Sequence, residues 1–70
     1  MEDKAVVEWM DGWGQVHVFI EPKTMHKLLP RDAAFRYAQE CLKKGAVSVI
    51  IRDPVSLKVI KQLMPKKQGS

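Results

Sequence analysis

The chain predicts a small α+β domain of order ββαβα. Its sheet is expected to be three-stranded and mostly antiparallel, in spatial order 2-1-3, with the helices packed on one face. Three stretches carry that expectation. Residues 30–45 have the spacing and end signals of an amphipathic helix. Two runs of apolar and β-branched residues, 5–10 and 15–20, flank Asp11-Gly12-Trp13-Gly14. A near-continuous apolar run, 46–52, follows the helix. Residues 1–65 are assigned to one domain and 66–70 to a disordered basic tail.

The first two runs read as a β-hairpin. Asp-Gly is a strong hairpin dipeptide, because both central positions of a type I′ turn need φ > 0. A two-residue loop pairs Met10 with Trp13. A four-residue loop shifts the pairing by two and leaves every residue on its face. Both options put Ala5, Val7, Trp9, Val16, Val18 and Ile20 on one apolar face, which is expected to meet the helix. The opposite face then holds Lys4, Val6, Glu8, Met10, Gln15, His17 and Phe19. Val6, Met10 and Phe19 make it more apolar than a solvated sheet face requires.

Residues 21–29 form a connector, since Pro22 cannot donate to a ladder. Met25, Leu28 and Leu29 are expected to tuck against the core. The length of the segment makes it a candidate contact site. Pro30 then suits the first helical position. Ala34, Phe35, Ala38, Cys41 and Leu42 recur at helical spacing and form one apolar stripe. Asp32, Arg36, Glu40 and Lys44 alternate in sign at four-residue intervals on the other side. Gly45 stands where a left-handed stop belongs.

Residues 46–52 place Val47, Val49 and Ile51 on one face and Ala46, Ser48, Ile50 and Arg52 on the other. Such a run suits a central strand. Asp53-Pro54 has the chemistry of a helix start, which predicts a second helix over 54–64. A strand over 57–63 is the alternative, and Ile60 and Lys61 break its alternation. No internal repeat, linker or second domain is read from the chain.

Composition narrows the function. Seventy residues bury only about 60% of their unfolded surface, so a partner or self-association would help such a domain. One cysteine excludes an internal disulfide and fits a reducing compartment. The start MEDKAVVEW lacks a basic region followed by an apolar core, and no apolar run approaches the length of a membrane span. A cytoplasmic protein is expected. His17, His26 and Cys41 show no ligand spacing, so no metal or cofactor is expected. Glu8 and His17 come near each other in the second register, as simple cross-strand pairs often do. Neither Ser48 nor Ser56 sits in a nucleophile's context, and no catalytic residue or small-molecule substrate is assigned.

These features point to a non-enzymatic interaction module that binds a protein partner, or itself as a homodimer. The surface expected to do so is the open sheet face with Val6, Met10, His17, Phe19 and Ile50. Trp13, at the tip of the turn, is either an aromatic anchor for the partner or a ring folded back over Met10. The alternative is nucleic-acid binding. The net charge of +4 is concentrated toward the C-terminal end, where Lys58, Lys61, Lys66 and Lys67 could contact phosphates while sheet aromatics stack on bases. The strand–strand–helix–strand outline resembles small bacterial domains and bacteriophage accessory proteins such as certain anti-CRISPR inhibitors. That likeness is one of outline, and no site residue is carried over from it.

Overall fold

The computed structural model of the protein describes residues 3–65. They form one antiparallel sheet and one helix. In chain order these are β1 (Lys4–Met10), β2 (Val16–Val18), β3 (Leu29–Pro30), α1 (Arg31–Lys43), β4 (Ser48–Arg52) and β5 (Val59–Leu63). The sheet has five strands rather than three. Its order is β2-β1-β4-β5, with the short β3 pairing the start of β1.

Asp11 and Gly14 set the register of the first hairpin. The Asp11 N–H donates to the Gln15 carbonyl at 2.9 Å, which closes a three-residue loop. Asp11 Oδ1 accepts from the N–H of Trp13 at 2.8 Å and of Gln15 at 3.0 Å. Gly14 takes φ +87°, the left-handed position that ends such a turn. An odd loop moves β2 by an odd number of residues, one from the four-residue-loop pairing and three from the two-residue one: Met10 lies opposite Val16, Trp9 opposite His17, and Glu8 opposite Val18. A one-residue shift turns every side chain of a strand over. Val16 and Val18 therefore face away from the helix. His17 and Phe19 face it, where His17 stacks on Trp9 with ring centroids 4.3 Å apart and Phe19 meets the edge of Tyr37 at 4.8 Å. This reverses the sequence assignment of all four residues.

The helix forms over the expected residues, with one adjustment at its start. Pro30 is the N-cap, with extended ψ of 147°, and belongs to β3. The Arg31 N–H continues the pairing to β1 by donating to the Asp3 carbonyl at 2.9 Å. The other end is a Schellman stop. Ala46 N–H donates to the Cys41 carbonyl at 3.0 Å, Gly45 N–H to that of Leu42 at 3.2 Å, and Gly45 has φ +110°. Ala34, Ala38 and Cys41 are the buried residues of α1. They pack on Ala5, Val7, Val49 and Ile51, with Ala46 closing the cluster. Ala34 and Ala38 carry no side chain beyond Cβ, which lets the helix lie close to the sheet. Val7, Val49 and Ile51 are the largest fully buried side chains. Each contributes roughly 1.5–3 kcal/mol of burial.

The second helix expected over 54–64 is not formed, and the alternative strand is. The Asp53 carboxylate accepts from Val55 N–H at 2.8 Å and Ser56 N–H at 2.9 Å, as a helix N-cap would. Leu57 N–H then donates to the Asp53 carbonyl at 2.9 Å, which completes one turn. Leu57 adopts φ +66°, and the helix cannot propagate past it. The chain reverses into β5, which pairs β4 from Val49↔Leu63 to Arg52↔Val59 with a register shift between Ile51 and Arg52. Ile60 is the extra residue of that bulge. The broken alternation at Ile60 and Lys61 is thus a bulge within a strand.

Candidate functional site

The face of the sheet turned away from α1 has no other element over it among the described residues. β1 contributes Val6, Glu8 and Met10, β2 contributes Val16 and Val18, and β4 contributes Ser48, Ile50 and Arg52, as their pairing places them. Most of these are apolar, and Val16 is 59% exposed. The exception is an ion pair at the centre. Arg52 Nε donates to Glu8 Oε1 at 3.1 Å, both side chains being about two-thirds buried. The same guanidinium donates through Nη1 to the Leu57 carbonyl at 3.0 Å, which ties the β4–β5 turn to the face. A shallow depression of about 170 Å³ lies on the Met10, Val16 and Ile50 side of the pair. A larger one, of about 280 Å³, lies on the other side, over Val6 and Val18.

The larger depression is walled by one turn and by the residues that leave a second, matching one. Glu21-Pro22-Lys23-Thr24-Met25-His26 and Asp53-Pro54-Val55-Ser56-Leu57-Lys58 share one pattern: an acid, a proline, any residue, a hydroxyl residue, a long apolar residue and a base. Their backbone N–H bonds correspond one to one, and Thr24 Oγ1 further donates to Glu21 Oε1 at 3.2 Å. In the first turn, Glu21 Oε1 accepts from the N–H of Lys23 and of Thr24, both at 2.8 Å. Met25 N–H donates to the Glu21 carbonyl at 2.7 Å, and Glu21 N–H to the His26 carbonyl at 2.8 Å. Asp53 makes the equivalent bonds to Val55 and Ser56, with Leu57 N–H and the Lys58 carbonyl closing the turn. The hydroxyl accepts from the sixth residue's N–H in both, at 3.4 Å from His26 to Thr24 and 3.2 Å from Lys58 to Ser56. The fifth residue is left-handed in both, with φ 61° at Met25 and 66° at Leu57. The acids respond alike. Glu21 is held below its ordinary value by the Thr24 and then the Lys23 N–H, and Asp53 by those of Ser56 and then Val55.

This repeat escapes a reading based on identity, because only the proline is identical between the two copies. The signal is the pair E-P-x-T and D-P-x-S, in which the side chain preceding proline caps the two N–H groups that follow it. Topology brings the turns together. β2 and β4 both run antiparallel to β1 on its two sides, so both chains leave the sheet at the same end. That sets the turns roughly 10 Å apart, two strand spacings. Lys27 and Leu28, leaving the first turn, line the depression with Pro54 and Leu57 of the second.

The residues expected to bind a partner divide between two sides of the molecule. Val6, Met10 and Ile50 share the open face. His17 and Phe19 belong to the helix side, half-buried, and the open face has Val16 and Val18 in their place. Glu8 and His17 are consequently on opposite faces. His17 Nε2 bonds instead to Asp11 Oδ2 at 2.8 Å. That bond, followed by those from the Gln15 and Trp13 N–H groups, lowers the Asp11 carboxyl below its ordinary value. Trp13 is 89% exposed and stands at the rim of a cleft on the helix side.

Lys58 and Lys61 are exposed. Lys58 closes the second turn, and Lys61 lies opposite Ile51 on the helix side of the sheet. Lys66 and Lys67 lie outside the described residues. With Phe19 turned to the helix, the open face has no aromatic platform on which a base could stack. Among the described residues, no three His, Cys, Asp or Glu side chains are grouped to hold a metal ion. No helix among them is long and apolar enough to cross a membrane. Burial raises the thiol of Cys41, on the apolar stripe, above its ordinary value. Compared with known proteins, the chain matches no family model, no curated protein and no solved structure.

Proposed function

We propose that the protein is a non-enzymatic interaction module that receives a protein partner, a second copy included, on its open sheet face. The observation that carries this reading is the combination of an apolar sheet face with a depression at one end, walled by Pro54 and Leu57 of the second turn and by Lys27 and Leu28 leaving the first. Size supports the involvement of the turns. Four strands at about 4.8 Å spacing and five residues of about 3.4 Å give a flat area of roughly 300 Å². A stable interface needs about 800 Å² per partner. The turn tips supply further apolar surface, since Met25 is 69% exposed and Leu57 is 63% exposed. The Glu8–Arg52 pair fixes orientation, because a partner that covers it must leave its hydrogen bonds intact or replace them.

The test is Val16→Glu, which puts a charge on the open face at a side chain the core does not use. Sedimentation of the protein across a concentration series reads self-association, and capture on the immobilised protein reads a partner. The variant is expected to melt like the parent and to lose the association. An association unchanged by Val16→Glu, in a variant that remains folded, would exclude this face. Phe19→Glu is unsuitable, because Phe19 packs on Tyr37 and the charge would disturb the fold.

A further inference from the structure

Both tryptophans and the single tyrosine of the chain converge on one cleft. It lies between the last turns of α1 and the β1–β2 turn, and holds about 260 Å³. Buried Cys41 and Ala46 are among its lining residues. Two of the three rings are braced by a further ring. Trp9 is stacked by His17, and Tyr37 is met by Phe19. The third, Trp13, is held on the rim by the turn that Asp11 caps, with almost all of its surface open to solvent. A large apolar ring kept on a rigid turn and not used by the core is available to a ligand.

Acidic residues outnumber basic ones in the lining of the cleft. Ring faces of tryptophan and tyrosine carry negative quadrupole density. Asp11 and Glu40 line the cleft, the Asp11 carboxylate bonded to His17 and Glu40 Oε2 lying 4.0 Å from Lys43 Nζ at the exposed surface, and the C-terminal, negative pole of α1 ends beside it at Lys43. Lys44 is the one basic residue of the lining. The volume falls below the roughly 300 Å³ at which drug-sized pockets begin, so it suits a head group or one side chain. We infer that this cleft binds an alkylated ammonium group, caged by Trp9, Trp13 and Tyr37 and neutralised by Glu40. The assignment concerns the helix side of the molecule and is independent of the open sheet face.

The experiment follows the two indole N–H resonances of the full chain during titration. The probes are choline, N-acetyl-trimethyllysine amide and 3,3-dimethylbutanol, the neutral carbon isostere of choline. Both indoles are expected to shift saturably with the two cations, and the isostere to bind at least ten-fold more weakly. Trp13→Ala is expected to weaken cation binding about five-fold with an unchanged melting temperature, since the ring is exposed. Glu40→Gln should weaken it as well, and Lys44→Gln should strengthen it. Tighter binding of the trimethyllysine probe identifies a protein side chain as the source of the cation. Tighter binding of choline identifies a small free cation. Either result supports the cage. Equal binding of the isostere, the absence of saturable shifts with both cations, or Trp13→Ala binding like the parent overturns the inference.

Discussion

Exchanging Phe19 and Val18 separately for alanine tests the hairpin register directly. If His17 and Phe19 face the helix, Phe19→Ala removes a half-buried ring together with its edge contact to Tyr37. A fully buried Phe→Ala change costs about 3–5 kcal/mol, and half burial scales that to about 2. The aromatic pair adds about 0.5–1 kcal/mol. The sum, about 2–3 kcal/mol, is a large share of the stability of a chain this short. Val18→Ala removes two methyl groups from the uncovered face, and partial exposure keeps the cost below about 1 kcal/mol. In a domain of this size each kcal/mol moves the melting temperature by about 4–8 °C. Phe19→Ala should therefore melt about 8–24 °C below the parent, and Val18→Ala should lose less than half as much. Thermal unfolding followed by circular dichroism at low protein concentration separates the two. A Val18→Ala variant that loses as much as Phe19→Ala, or more, would mean that β2 is paired with an even-numbered loop, and the open face would have to be redrawn.

Three further outcomes follow from the turns and the ion pair. Asp11 is ionised below its ordinary value of 3.8, so its stabilisation is fully present above that value and fades as pH falls through the folded one. The melting-temperature gap between the parent and Asp11→Asn should thus be open above pH 3.8 and narrow as pH falls below it; a gap that does not change with pH contradicts the account. Met25→Gly and Leu57→Gly each relieve a left-handed L-residue, worth about 1–2 kcal/mol, against the entropy a glycine adds to the unfolded chain. Each should raise stability by about 0.5–1 kcal/mol in urea, and the two gains should add; a loss at either position refutes the turn geometry. For the Glu8–Arg52 pair, a double-mutant cycle with Glu8→Gln and Arg52→Gln should give a coupling of about 1 kcal/mol that persists at high salt, and no coupling would place the pair in open solvent.

Much of the scaffold was legible because its signals are local. The stripe from Ala34 to Leu42, the charge series from Asp32 to Lys44 and the Gly45 stop each specify the helix without help from elsewhere. Ala5, Val7 and Trp9 were placed on the covered face by alternation alone. The register of β2 was not legible, for a physical reason. Asp-Gly-Trp-Gly offers glycines at two positions, and these serve even and odd loops alike. The hydrophobic pattern could not decide, because Val16 and Val18 compete with His17 and Phe19 and either pair makes an apolar face. The choice fell to the Asp11 carboxylate, which caps Trp13 and Gln15 and bonds to His17 only in the three-residue loop. The second miss has the same character. Asp53-Pro54 begins a helical turn whether or not a helix follows, and the sequence does not announce that Leu57 will go left-handed. The candidate site suffered most, because its members are defined by the face they share.

The matching turns also bear on how this molecule can change. In each, the closure depends on an acid, a proline, a hydroxyl and a left-handed residue, and it is satisfied within six consecutive residues. The third residue takes no part through its side chain, and the fifth needs only to tolerate its φ. The two copies already differ there, Lys23 against Val55 and Met25 against Leu57, whereas the first and fourth positions exchange only within the acids and the hydroxyls. Val55, Met25 and Leu57 are exposed, so substitution there alters what the turn tips present without disturbing how the chain reverses. The same separation makes positions 23 and 25 natural sites for foreign residues, with 55 and 57 as an internal reference for what the turn tolerates.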